Sequence, residues 1–228
     1  MKDVKYKMKY LKEIRNFFNL TQAELSKKLL LEDQSIIAQY ESKATPSIKV
    51  LKRMSEVFNL SIDFITLNSN CNYVRNLKLL NLAQNFDGSA PSQSRGLVEA
   101  SAETFIKKKK LSEIKQDDFK EDLTDNFHKN FKVLRTRKDK SQEELSILLD
   151  VGRTTISSYE RNIYPPLDNL IKLSDFLDVS MHALVTGQKL NFQFTDGPFG
   201  KTMLLADRLL PLEQQKYLIE LMENIIQK

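Results

Sequence analysis

Cysteine occurs once, at Cys71, and histidine only twice, at His128 and His182. A single thiol excludes an intramolecular disulfide, and one Cys with two His falls short of the four ligands of an ordinary structural zinc site. No metal and no cofactor is expected. No apolar run approaches the roughly 18 residues needed to cross a bilayer. The basic opening MKDVKYKMKY leads into neither an apolar signal core nor a small-residue cleavage site. The expectation is a cytoplasmic protein without membrane contact. Catalytic constellations are missing as well: the two histidines stand apart, and GPFGKT lacks the G-x-x-x-x-G-K-[ST] spacing of a phosphate-binding loop. Neither an enzyme, a small-molecule substrate nor a sensor domain is expected.

What is present is charge and repetition. The 228 residues carry a net charge of +5 and a pI near 9.1, a balance that suits a polyanionic partner. Sliding the chain by 120 positions places Lys12 on Lys132, Arg15 on Arg135, Gln22 on Gln142, Glu24 on Glu144, Leu25 on Leu145 and Leu29 on Leu149. The offset then falls to 119, and Ile37 meets Ile156, Tyr40 Tyr159, Glu41 Glu160, Pro46 Pro165 and Leu51 Leu170. Two copies of one unit of about 60 residues are therefore present.

Each copy reads as five short helices. The first is LKEIRNFF or FKVLRTRK. The second opens on a capping box, Thr21-x-x-Glu24 or Ser141-x-x-Glu144. The third carries Ile37 and Tyr40, or Ile156 and Tyr159, on one face, and Pro46 or Pro165 is expected in the first turn of the fourth. A helix, a short turn and a second helix with a polar outer face is a layout that offers the second helix to the DNA major groove.

The stretches SQEELSILLDVGRTTISSYERN and TQAELSKKLLLEDQSIIAQYESK, each followed by Pro and an apolar helix, resemble the lambda-repressor-like (Cro/Xre type) helix-turn-helix family over about residues 10–67 and 130–187. The resemblance implies an all-α fold with two five-helix helix-turn-helix domains joined by a partly helical linker, plus a C-terminal helix. The expected divisions are 1–67, 68–126, 127–187 and 188–228. It also implies that Arg15 with Glu41, and Arg135 with Glu160, form structural salt bridges that tie helix one to helix three. Family members often carry Gly in the turn between helices two and three, where LLED and Asp150 stand here. Gly is also common after helix three, where Lys43 and Asn162 stand.

Tyr40 and Tyr159 share a face with Ile37 and Ile156, so they are expected in the core rather than on bases. The opposite face offers Gln34, Ser35, Ala38 and Gln39 in copy one, and Arg153, Thr154, Ser157 and Ser158 in copy two. Gln and Arg match the paired edge groups of adenine and guanine, while Ser and Thr read less selectively. Gln22 and Gln142, in the first turn of helix two, and Lys43, Arg161 and Asn162, after helix three, are expected to contact phosphate.

Between the copies, NYVRNLKLLNLAQNF has helical spacing and DGSAPSQSRG reads as flexible linker. KKKKLSEIKQDDFKEDL reads as a charged, exposed helix leading into copy two. About 20 flexible residues span about 25 Å, near the roughly 34 Å between half-sites one helical turn apart. A final helix carries the stripe Leu218, Leu221, Met222, Ile225 and Ile226, expected either to pack on its own domain or, preferably, to pair two chains as a homodimer. The expected function is sequence-specific regulation of transcription, as a repressor bound to double-stranded DNA. The alternative is a protein-interaction adaptor or antitoxin built on the same fold, with one or both copies not reading DNA.

Overall fold

A computed structural model describes Met8 and residues 11–67, 76–106, 117–190 and 198–227, apart from the side chains of Leu67 and Arg208. Cys71, the lysine run 107–110 and the first glycine of GPFGKT lie outside the described residues. Copy one comprises α1 (Leu11–Phe17), α2 (Gln22–Lys28), α3 (Ser35–Ser42), α4 (Ile48–Phe58) and α5 (Ile62–Leu67). Two helices follow, α6 (Leu77–Ser89) and α7 (Ser92–Phe105). Copy two repeats the five as α8 (Phe127–Arg137), α9 (Gln142–Leu149), α10 (Arg153–Tyr159), α11 (Leu167–Leu177) and α12 (Met181–Thr186). The chain then forms α13 (Pro198–Leu209) and α14 (Leu212–Ile226). There is no strand among the described residues, so the fold is all-α with two helix-turn-helix units. None of these helices is long and apolar enough to cross a membrane.

Local chemistry sets the helix ends. Both capping boxes form: Thr21 N donates to Glu24 Oε2 at 2.7 Å and Glu24 N to Thr21 Oγ1 at 3.2 Å, with the Ser141–Glu144 pair matching at 2.8 and 3.1 Å. A cap of this kind is worth about 1 kcal/mol. Helix four begins later than its proline suggests, because Pro46 and Pro165 stand just before the N-caps Ser47 and Pro166. Left-handed residues recur at matched positions: Asn19 and Asp139 after helix one, Leu30 and Asp150 after helix two, Asn59 and Asp178 after helix four. No such residue follows helix three. Lys43 has φ −151°, and Asn162 is not among the left-handed residues, so neither takes the conformation that favours glycine.

The segment between the copies departs from a flexible linker. DGSAPSQSRG is the end of α6 and the start of α7, turned by Ala90 and Pro91. Glycine in a helix costs about 1 kcal/mol, yet Gly88 and Gly96 are held helical by neighbours that pack or pair. Phe86 and Val98 are fully buried, and Arg95 Nη1 donates to the Asp87 carbonyl at 2.6 Å across the turn. The described end of the expected charged helix, 117–123, is not helical either. Asp117 and Phe119 are buried there, and Asp117 accepts backbone N–H groups from Ser180 and Leu190.

Two hydrophobic cores result. The first runs without a break through both copies, from Ile14, Leu25, Ile37, Leu51 and Phe58 to Leu134, Leu145, Ile156, Leu170 and Leu177. The copies meet where α12 packs on α5 and α4. They are joined directly, rather than tethered by a flexible span. The second core is built by α6, α7, α13 and α14 around Leu80, Phe86, Val98, Met203, Leu218 and Met222. The stripe on α14 is therefore covered by α6 and α7 of its own chain. Leu218 and Met222 are fully buried, Leu221 and Ile225 are packed against this core, and Ile226 stays exposed. A buried polar knot holds this unit together, with Asn76 N donating to Asp207 Oδ1 at 2.7 Å and Asn76 Nδ2 to Gln215 Oε1 at 2.9 Å, and the unit meets copy one where Leu77 N donates to the Asn59 carbonyl at 3.2 Å.

Candidate nucleic-acid interface

Each copy presents helix three on a frame made by helices one and two. In copy one, Arg15 Nε lies 2.6 Å from Glu41 Oε1 and Arg15 Nη1 donates to the Leu20 carbonyl at 2.6 Å. In copy two, Arg135 Nε lies 2.5 Å from Glu160 Oε1 and its Nη1 donates to the Lys140 carbonyl. Each arginine thus fixes helix one, the following turn and the end of helix three together. Side-chain exposures of 9% and 7% for the first pair, and 14% and 6% for the second, place both largely out of water. Breaking one partner of such a pair leaves a buried charge and costs about 3–5 kcal/mol.

The turn between helices two and three is built differently in the two copies. Leu30 and Asp150 occupy the same left-handed position, with φ 55° and 54°. Copy one places Asp33 two residues ahead of α3, where its Oδ1 accepts Ser35 N at 2.7 Å, whereas copy two uses Gly152 as the N-cap of α10. The aspartate supplies the acceptor that a glycine cap lacks.

On the inner face of helix three, Ile37, Ile156 and Tyr159 are buried, and Tyr40 is half-buried against the core with its phenol pushed up by burial. On the outer face, Gln34, Ser35, Ala38 and Gln39 are exposed in copy one. Arg153 and Thr154 are exposed in copy two, with Ser157 and Ser158 half-buried. Ser158 Oγ donates to the Thr154 carbonyl at 2.9 Å, so its proton is turned toward its own helix. Past the helix, Lys43 and Asn162 are exposed, and Arg161 Nε bends back to the Ser157 carbonyl at 3.2 Å. Gln22 and Gln142 are half-buried, each donating through Nε2 to Glu41 or Glu160, at 2.9 and 2.8 Å. One amide proton of each remains, since the group carries two.

The two faces differ beside helix three. Copy one carries exposed Lys27 and Lys28 on helix two, where copy two has Ile147, 75% exposed, and Leu148, 43% exposed.

The joint between the copies contains residues that sequence reading missed. Asp63, in the first turn of α5, accepts Met181 N and His182 N from the start of α12, both at 3.0 Å. Asp117 accepts Ser180 N and Ser180 Oγ, both at 2.6 Å, and Leu190 N at 2.7 Å. His182 Nδ1 lies 3.4 Å from Ser55 Oγ of α4. Burial pushes the Asp63 carboxyl up to about 7 against the pull of its N–H donors, and pushes Asp117 up as well. Burial also lowers His182 to about 4, so its ring stays neutral. The available signal was one titratable residue at matched positions, Asp63 and His182, of two mostly apolar helices, IDFITL and MHALVT.

Two complete helix-turn-helix units, each with a polar helix three facing outward, define the class of protein. The helix-turn-helix family model matches residues 11–65 and 131–184. An uncharacterized HTH-type transcriptional regulator from Archaeoglobus fulgidus is 36% identical over 55 residues, 24% of this chain and 78% of that protein. The chain belongs to the helix-turn-helix family of Cro/C1 type. No solved structure matches it.

Proposed function

We propose that the protein is a sequence-specific double-stranded-DNA-binding transcriptional regulator that represses by occupying promoter DNA. The observation that carries this is the pair of outward polar faces on α3 and α10, each held on an intact three-helix frame. It is supported by the likeness to a protein named as an HTH-type transcriptional regulator. In this reading Gln34, Ser35 and Gln39, and Arg153, Thr154, Ser157 and Ser158, enter successive major grooves. Lys43, Arg161, Asn162 and the second amide protons of Gln22 and Gln142 meet phosphate. The working unit is a single chain. A homodimer through the C-terminal helix loses its main support, because the stripe it would use is buried against α6 and α7.

A second reading, as a protein adaptor, draws on Ile147 and Leu148, whose exposure suits a protein contact better than phosphate. Selection of bound sequences from random duplex DNA separates the two. The regulator enriches a two-part site, Arg153→Ala relaxes one part, Gln39→Ala relaxes the other, and affinity falls steeply with salt as counterions are released. No enrichment by the wild type at any salt would leave the adaptor.

A further inference from the structure

The joint between the copies dictates what kind of DNA site one chain fits. Position 182 is the counterpart of position 63 at the offset of 119 that relates the later parts of the copies. Asp63 Oδ2 accepts His182 N at 3.0 Å, so a position of copy one touches its own counterpart in copy two. Helix five of one copy likewise packs on helix five of the other. Self-matching contacts are the mark of a two-fold relation. A head-to-tail relation would pair two different surfaces.

The joint is also stiff. It is part of one continuous core, its polar groups are paired inside it, and Lys52 Nζ reaches Asp125 Oδ2 at 2.5 Å on its rim. Two like units facing each other across a two-fold axis present their third helices in opposite directions along the duplex. The units are nonetheless unlike, with Gln34 and Gln39 on one reading face and Arg153 and Thr154 on the other.

Building on the DNA-binding reading above, we infer that one chain recognises a composite site of two unlike half-sites, inverted with respect to each other and held at a single separation. Ordinary dimers of identical subunits fit palindromes. This chain fits an asymmetric site and sits on it in one orientation only. That gives a bound regulator a direction relative to the promoter.

The test uses the full chain and duplexes carrying the two parts recovered by selection, in both relative orientations and at separations from zero to about 15 bp. The expected result is tight binding at one separation in the inverted arrangement, with one chain per duplex by native mass spectrometry. An insertion of about 5 bp turns the second half-site to the far side of the helix, given about 10.5 bp per turn. It should lower affinity at least about 100-fold, the scale of the gain from tethering two sites. Asp63→Ala is expected to flatten the dependence on separation while leaving binding to each isolated part unchanged, which shows that both units stay folded. Equal affinity at all separations, preference for the direct arrangement, or two chains per duplex would overturn the inference while leaving DNA reading intact. No binding above random duplex for either part overturns both.

Discussion

Asp63 accepts the backbone N–H of His182, its own counterpart in the second copy, at 3.0 Å. The carboxylate that begins helix five in one unit thereby caps helix five of the other. A sequence that repeats a helix-turn-helix unit has, through this contact, become a single body with two outward helix-three faces.

The titration of this joint has a defined sign. The folded protein keeps a proton on Asp63 up to about 7, whereas its ordinary value is 3.8, so this contribution is complete below 3.8 and lost as pH rises through about 7. Asp117 acts in the same direction. His182 opposes them: lowered from 6.5 to about 4, it contributes above 6.5, and that contribution is lost as pH falls through about 4. Asp63→Asn removes a contribution to stability that is lost as pH rises. Urea unfolding at pH 5 and pH 7.5 should show the variant gaining on wild type at the higher pH; an unchanged gap would mean that Asp63 is ionised in the folded protein.

Leu30 sits at φ 55° with 74% of its surface exposed. A left-handed conformation costs a branched side chain about 1–2 kcal/mol, while asparagine tolerates it. Leu30→Asn is expected to stabilise the protein by about 1 kcal/mol without changing DNA affinity. A fall in the thermal midpoint would show that Leu30 makes a contact worth more than its strain.

Arg135 serves three segments of copy two, so Arg135→Ala should cost about 3–5 kcal/mol and remove DNA binding by unfolding. Chemical denaturation followed by circular dichroism reads the loss. A variant with wild-type stability but altered sequence preference would make Arg135 a base-reading residue instead.

Leu218 is fully buried between α14 and its own chain. Leu218→Ala should cost about 2–5 kcal/mol and leave the mass in solution, by light scattering, that of one chain. A two-chain mass for the wild type that the substitution abolishes would restore the C-terminal helix as a dimer contact.

The helix-turn-helix units were legible because their signals are local. Thr21-x-x-Glu24, Ser141-x-x-Glu144 and the three-residue spacing from Ile37 to Tyr40 act within one or two turns, and the repeat states each of them twice. The outer residues of helix three followed from the same periodicity. The joint was not legible in this way, since Asp63 and Asp117 look like ordinary surface carboxylates until α12 is placed against them.

The second core shows the other boundary. DGSAPSQSRG has the composition of a linker, and in isolation its propensities favour one. Helices α6 and α7 exist because Phe86, Val98 and Ala102 find Met203, Leu218 and Met222 about a hundred residues later in the chain. The sequence alone determined the repeated unit, the capped start of its second helix and the face it offers outward, because capping and periodicity are short-range. Tertiary structure alone decided that the copies fuse at helix five and that linker and tail form one further core, because desolvation depends on which distant apolar surfaces meet.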